Sequence, residues 1–226
     1  SCSSFARSGG HALRVPAKGD GNAIRPSASS ALPRKRLQPL NSVKLPSSAV
    51  DVLTTDRLLE INLETGEVQR ELKFELASAP FSVKRGGEGK LLVSLQGGGK
   101  VQEVSTESLT VTRSWNTGRH PNDILVKGDR LFVACGNDDE VDVIDLYNGG
   151  LEERIVTRPW PHAPAGSTPD ALAVTADGKT LLVANADNNA VAVIDIAKRG
   201  ASEIEGFIPS GAYPCALAVL NDQKTV

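Results

Sequence analysis

Gly166-Ser-Thr-Pro169-Asp-Ala-Leu-Ala-Val174, then Asp177-Gly-Lys-Thr-Leu181-Leu-Val-Ala-Asn185, then Asp187-Asn-Asn-Ala-Val191-Ala-Val-Ile-Asp195 is the stretch on which the fold turns. Three short apolar runs are separated by Asp-Gly-Lys and by Asp-Asn-Asn, and none shows a helical period. Each run therefore reads as a strand and each break as a hairpin. The same text stands one unit earlier as Gly118-Arg-His-Pro121-Asn-Asp-Ile-Leu-Val126, Gly128-Asp-Arg-Leu131-Phe-Val-Ala134 and Asn137-Asp-Asp-Glu-Val141-Asp-Val-Ile-Asp145. A further copy opens at Gly211-Ala-Tyr-Pro214-Cys-Ala-Leu-Ala-Val219, and a diverged one runs from Pro80 through Leu91 to Ser105. With Pro80, Pro121, Pro169 and Pro214 as markers, the steps are 41, 48 and 45 residues.

A period near 45 with several strands per unit is one blade of a β-propeller. Ala171–Val174, Thr180–Ala184 and Ala190–Asp195 are the clear strands of one unit, and Glu203–Ile208 is a weaker fourth. The first two are nearly all apolar, as strands covered on both faces should be. The fourth mixes Glu with apolar residues, as an outer strand should. Leu58–Leu63 and Val68–Phe74 read as the third and fourth strands of one more blade upstream. The expected fold is all-β, a propeller of roughly four blades over residues 49–226, as part of a larger, seven-bladed ring. Residues 1–48, rich in Ser, Gly, Pro, Arg and Lys without periodicity, read as a disordered leader or linker.

The unit Pro169 to Asn185 resembles the YVTN β-propeller repeat, with Leu182-Val-Ala-Asn185 in the place of the name-giving tetrapeptide. Phe132-Val-Ala-Cys135 and Leu92-Val-Ser-Leu95 depart from that tetrapeptide. Pro164 to Val174 and Gly206 to Pro214 are similar to the last repeats of bacterial proteins in which such a propeller precedes an alkaline-phosphatase-like phosphoesterase domain. The resemblance covers about Leu58 to Val226. It implies an exported protein, periplasmic or extracellular, whose phosphoesterase domain would lie downstream of Val226. Ligands of such a module are a protein or a small molecule at the propeller face, or its own downstream domain.

Composition narrows the alternatives. The chain has 226 residues, 25 Lys+Arg against 27 Asp+Glu, a net charge of −2 and 40% hydrophobic residues. That is a folded protein without the basic field that nucleic acid or anionic membranes attract. No apolar run reaches the roughly 18 residues of a membrane span. There is no Met, and Ser1 stands first, as expected of a product of cleavage or of a fragment. Three cysteines, Cys2, Cys135 and Cys215, match no zinc or redox spacing. Cys135 and Cys215 read as small hydrophobes in strands. Ser1-Cys2-Ser-Ser is what surrounds a lipidated cysteine, although Ser1 precedes the residue that would become the terminus.

Chemistry is sparse. An alkaline-phosphatase-like site needs two cations held by several Asp and His, but only His11, His120 and His162 exist, so neither that metal site nor a cofactor is expected in this chain. GxSxG, Walker and HExxH motifs are absent. Asn137-Asp-Asp-Glu140 and Asp187-Asn-Asn189 lack calcium-loop spacing and read as hairpin turns, as do Asp145 and Asp195. Trp160 sits in the loop that makes the second step longest and is expected to pack over a blade edge. Loops entering the innermost strands converge on the central channel of a propeller. Arg119, His120, Asn122, Asp123, Asp170 and Tyr213 are therefore the expected ligand-binding residues. The same groups would equally satisfy loop backbone and line a water-filled channel. A lactonase-type seven-bladed propeller using Arg119 and His120 is the enzymatic alternative, and without CxxCH an electron-transfer propeller finds no support.

Overall fold

A computed structural model describes residues 48–52, 56–160 and 162–220; the leader at residues 1–47, with Cys2, lies outside them, as does the end of the chain from 221. The described residues form fifteen strands. Sheet I holds β1 (Ser48–Val52), β2 (Arg57–Ile61) and β3 (Val68–Lys73). Sheet II holds β4 (Pro80–Gly87), β5 (Lys90–Leu95), β6 (Lys100–Ser105) and β7 (Val111–Asn116). Sheet III holds β8 (Pro121–Lys127), β9 (Arg130–Cys135), β10 (Glu140–Asp145) and β11 (Leu151–Val156). Sheet IV holds β12 (Pro169–Val174), β13 (Thr180–Asn185), β14 (Ala190–Asp195) and β15 (Glu203–Pro209). Sheets II, III and IV are four-stranded antiparallel meanders in chain order, and sheet I is a three-stranded one. The strands read from sequence in the sheet IV repeat all form, within a residue or two of their expected ends. β1 supplies a second strand to sheet I that the repeat pattern did not reveal.

Strand alternation explains why the middle strands carry apolar residues on both faces. On β9, Leu131, Val133 and Cys135 pack with Leu92, Val101 and Trp115 of sheet II. Phe132 and Ala134 point the other way, into Leu172, Leu181, Val183 and Ile194 of sheet IV. Leu58 of sheet I meets Val93, Leu95 and Val104 of sheet II in the same manner. Sheets II and III are thus each the filling between two neighbours, and the buried polar residues of middle strands, Ser94, Glu103 and Asp142 among them, carry hydrogen bonds.

Two kinds of loop repeat. The hairpin between the second and third strands places a left-handed residue at Gly99 (φ 56), Asp139 (φ 58) and Asn189 (φ 52). Asp56 (φ 52) takes this place in sheet I. Its side chain, where there is one, pins the loop that enters the next sheet. Asp56 accepts the N–H groups of Ala77 and Ala79, each at 2.8 Å, and Asn189 accepts that of Tyr213 at 2.8 Å. Asp139 accepts those of Gly166, Ser167 and Thr168 at 2.9, 2.6 and 3.2 Å. The Asn of the tetrapeptide has a comparable task, since Asn185 Nδ2 donates to Thr157 O at 2.6 Å in the loop from sheet III.

Three expectations are corrected. Pro214–Val219 copies β12 in sequence yet carries no strand, because its ladder partner would come from residues after Leu220, outside the described ones; Leu217 and Val219 still pack on Ala173, Leu182 and Val191. Cys215 is accordingly exposed, unlike the buried Cys135. Trp160 is 59% exposed instead of covering a blade edge; backbone bonds and the Arg158–Asp139 pair hold its loop, so apolar contact is not required of it.

Candidate functional site

The residue before each marker proline is left-handed: Ala79 (φ 47), His120 (φ 58), Thr168 (φ 50) and Tyr213 (φ 52). For residues with a Cβ this costs about 1–2 kcal/mol each. It is held in place because the carbonyl of the strained residue accepts an N–H just beyond the second strand of its own sheet. Gln96 N reaches Ala79 O, Gly136 N reaches His120 O and Ala186 N reaches Thr168 O, at 2.9 to 3.0 Å. The kink turns the chain sharply into β4, β8 and β12, so the residues after each proline meet those of the neighbouring sheets.

Asn122 is buried and fully engaged. Its Oδ1 accepts from Gln96 Nε2 at 2.7 Å and from His120 Nδ1 at 3.0 Å, its Nδ2 donates to Pro169 O at 3.1 Å, and its carbonyl accepts from Ser94 Oγ at 2.8 Å. This network fixes the amide orientation. Because Asn122 Oδ1 only accepts, His120 carries a hydrogen on Nδ1. Asp123 ties three innermost strands together. Its carboxylate pairs with Lys84 Nζ on β4 at 2.9 Å and accepts from Ser82 Oγ at 3.3 Å and from Leu172 N on β12 at 3.0 Å. Asp170 is 9% exposed. Burial pushes its carboxyl above the ordinary range, and the charges of Asp123 and Asp187 push the same way, partly offset by His120.

Of the six residues expected from sequence, the structure brings His120, Asn122, Asp123 and Asp170 together. Arg119 is turned to the rim, bonded to Asp138 at 2.7 Å and to Asn137 O at 3.0 Å. Tyr213 lies at the next entry loop, its N–H on Asn189. Ser82, Lys84 and Gln96 were missed. Their signal was an alignment on the marker prolines, where Lys84 stands against Leu125 and Ala173, a charge in an otherwise apolar column. Among the described residues no group of three or more His, Cys, Asp or Glu side chains is placed to hold a metal ion, and no helix is long and apolar enough to cross a membrane. Burial pushes the Cys135 thiol well above its ordinary value, which removes it as a nucleophile.

No family model matches the chain, and no curated protein does. Solved structures match well. A putative 6-phosphogluconolactonase from Bacteroides fragilis aligns with a TM-score of 0.60 at 18% identity, covering 76% of this chain and 53% of that one. Virginiamycin B lyase from Staphylococcus aureus aligns at 0.57 and 18%, covering 73% and 53%. Hydrazine synthase from Kuenenia stuttgartiensis aligns at 0.56 and 26%, covering 68% and 42%. These are propeller proteins. The fold is a β-propeller. The chain spans about half the length of the propellers it matches, and its sheets are blades I to IV.

Proposed function

We propose that this chain is a non-catalytic binding and scaffold module, part of a larger, seven-bladed propeller in an exported bacterial protein, and that it accompanies a phosphoesterase domain outside this chain. The observation that carries the binding reading is the division of labour at the channel mouth. Asn122 and Asp123 are consumed in joining blades II, III and IV, whereas the Asp170 carboxylate, near His120, accepts no hydrogen bond from a described residue. Such a pair can hold a ligand. The phosphoesterase association rests on the resemblance of Pro164–Val174 and Gly206–Pro214, and export, to the periplasm or beyond, rests on the same resemblance; lipidation at Cys2 would add an anchor.

The second reading is a lactonase-type hydrolase, favoured by the proximity of His120 and Asp170 and in keeping with the putative 6-phosphogluconolactonase among the similar structures. Against it, Arg119 is committed to Asp138 and Asn137 and is not turned to the mouth. One experiment separates the two. The 226-residue chain is incubated with gluconolactone and with an aryl phosphate, each with zinc, magnesium or manganese in turn. Binding without turnover is expected. Lactone hydrolysis above the blank that disappears in His120→Ala would replace the module by the enzyme, and phosphate release lost in Asp123→Asn would place phosphoesterase chemistry in this chain.

A further inference from the structure

Asn148-Gly149 is the one Asn-Gly pair in the 226 residues. An asparagine followed by glycine can modify itself, because no side chain on the second residue hinders its backbone nitrogen from attacking the asparagine Cγ. The pair stands in the hairpin between β10 and β11, with Asn148 exposed to water. The turn keeps glycine at 149. Its backbone is left-handed at φ 79, and a Cβ there would stand 3.3 Å from Arg113 Nη2 and 3.4 Å from Trp115 Nε1 of blade II. It does not need the amide at 148. The matching hairpin of blade I, Asn62 to Glu67, has Gly66 at φ 76 and Thr65 before it. There Thr65 Oγ1 accepts from Glu67 N at 3.2 Å, as Asn148 Oδ1 accepts from Gly150 N at 2.6 Å.

The folded hairpin holds both reacting groups apart. Gly149 N, the nucleophile, donates to Asp145 O at 2.7 Å. The Asn148 amide is engaged at both ends, Oδ1 by Gly150 N and Nδ2 on Asp145 Oδ2 at 3.1 Å. Asp145 Oδ1 also accepts from Tyr147 N and Asn148 N at 2.7 and 3.2 Å. We infer that Asn148 is a deamidation site which Asp145 silences in the folded hairpin and which opening of that hairpin releases. In the reaction Gly149 N gives its proton to solvent and bonds to Cγ, while the Cγ–Nδ2 bond breaks and the amide leaves as ammonia. Water then opens the cyclic imide at either carbonyl, leaving aspartate or isoaspartate at 148. The new carboxylate faces Asp145, whose Oδ2 shares Arg199 with Asp129 and Glu152, so the change falls on the clasp between blades III and IV.

The test incubates the 226-residue chain, Asp145→Ser and Asn148→Thr in mildly alkaline buffer, each with and without unfolding urea. Serine is the residue of blade II at this place, Ser105, and threonine that of blade I. The peptide carrying residue 148 is followed by mass and by isoaspartate content. The parent should convert at least about tenfold more slowly folded than in urea, because several hydrogen bonds must break first. Asp145→Ser should convert at least about fivefold faster than the folded parent, with the two equal in urea. Asn148→Thr should show no conversion in this peptide and melt with the parent. Equal rates for the parent folded and unfolded, no conversion in urea, or Asp145→Ser at the rate of the folded parent each overturn the inference. Slow hydrogen exchange of the Gly149 N–H is expected in the folded parent, and exchange at the unstructured rate overturns the clamp whether or not Asp145→Ser folds.

Discussion

Asp139 is the residue whose loss should cost blades III and IV most. Its carboxylate, 2% exposed, gathers the N–H groups of Gly166, Ser167 and Thr168 and the Nε of Arg158 at 3.2 Å. Asp139→Ala strands three backbone donors, a loss of about 3–5 kcal/mol, while Arg158, one third exposed, is left to water. Alanine at φ 58 adds about 1 kcal/mol of left-handed strain. The sum of about 4–6 kcal/mol is about 10–20 °C in melting temperature for a chain of this length. Two companions dissect it. Asp139→Gly relieves the strain as Gly99 does in blade II, but keeps the stranded donors. Asp139→Asn keeps one acceptor, as Asn189 shows in blade IV, and should cost about 1.5–3 kcal/mol. Urea unfolding followed by the fluorescence of Trp115 and Trp160 should rank Asn above Gly above Ala. The pH dependence has a definite sign. Burial alone would raise the Asp139 carboxyl, but the backbone donors and Arg158 outweigh it and hold it below the ordinary value. The stabilisation is therefore present above about pH 4 and drains as pH falls through the lowered value, an acid limb that Asp139→Asn should flatten. If Asp139→Ala unfolds within about 1 kcal/mol of the parent, the nest does not hold the loop and the reasoning fails.

Asp142 should behave in the opposite way: burial raises its carboxyl despite Gly118 N and despite Arg154, whose Nε lies 3.3 Å from Oδ1. Its ionisation opposes folding, so stability falls as pH rises from the ordinary carboxyl value through the raised one, and Asp142→Asn should match or exceed the parent in urea at neutral pH. Arg113 donates to Leu146 O at 2.7 Å and lies 4.7 Å over the Trp115 ring; Arg113→Ala should lose about 1–2 kcal/mol by the same assay. Native alkylation read by peptide mass should mark Cys215 and spare Cys135 until denaturant is added, because of these two described cysteines Cys215 is exposed and Cys135 buried.

The blades were legible because their signal is local and repeated. A strand covered on both faces must be largely apolar, and a hairpin needs residues that tolerate its backbone, so β12 to β14 stand out of the text of one repeat and recur in the next. The mouth was half legible. Proline spacing located Asn122, Asp123 and Asp170, since the register after each proline is fixed by the kink. It did not distinguish Asn122, bonded by Gln96 and to Pro169 O, from Asp170, which has Gly136 where Asn122 has Gln96, because that difference is made by a residue of another strand. The Arg119–Asp138 bond was hidden for the same reason, as a guanidinium follows the nearest carboxylate. Asp139 looked like any turn residue, and its left-handed backbone is indeed a turn feature. Its second task, holding Gly166 to Thr168, depends on the next blade.

The outer strands carried the least signal, yet they say most about blade order. A bulge interrupts the pairing of third and fourth strands at one place in every blade, between Glu60 and Ile61, Glu103 and Val104, Val143 and Ile144, and Val193 and Ile194. Opposite the residue before it stand Arg70, Arg113, Glu153 and Gly206 in turn, an equivalence invisible until the bulge is known. Arg70 donates to the carbonyls of Thr106 and Glu107, and Arg113 to that of Leu146, each in the third hairpin of the following blade. Glu153 reverses the polarity and accepts from Ser202 N and Oγ, both at 2.8 Å. A guanidinium requires carbonyls and a carboxylate requires donors, so blade III set against the hairpin of blade II or of itself would face acceptor with acceptor. The apolar faces between blades are interchangeable in kind, Leu and Val against Leu and Val, and would accept several orders. The polar clamp at the rim is where the correct neighbour differs from a wrong one, through a penalty on the mismatch rather than a gain on the match.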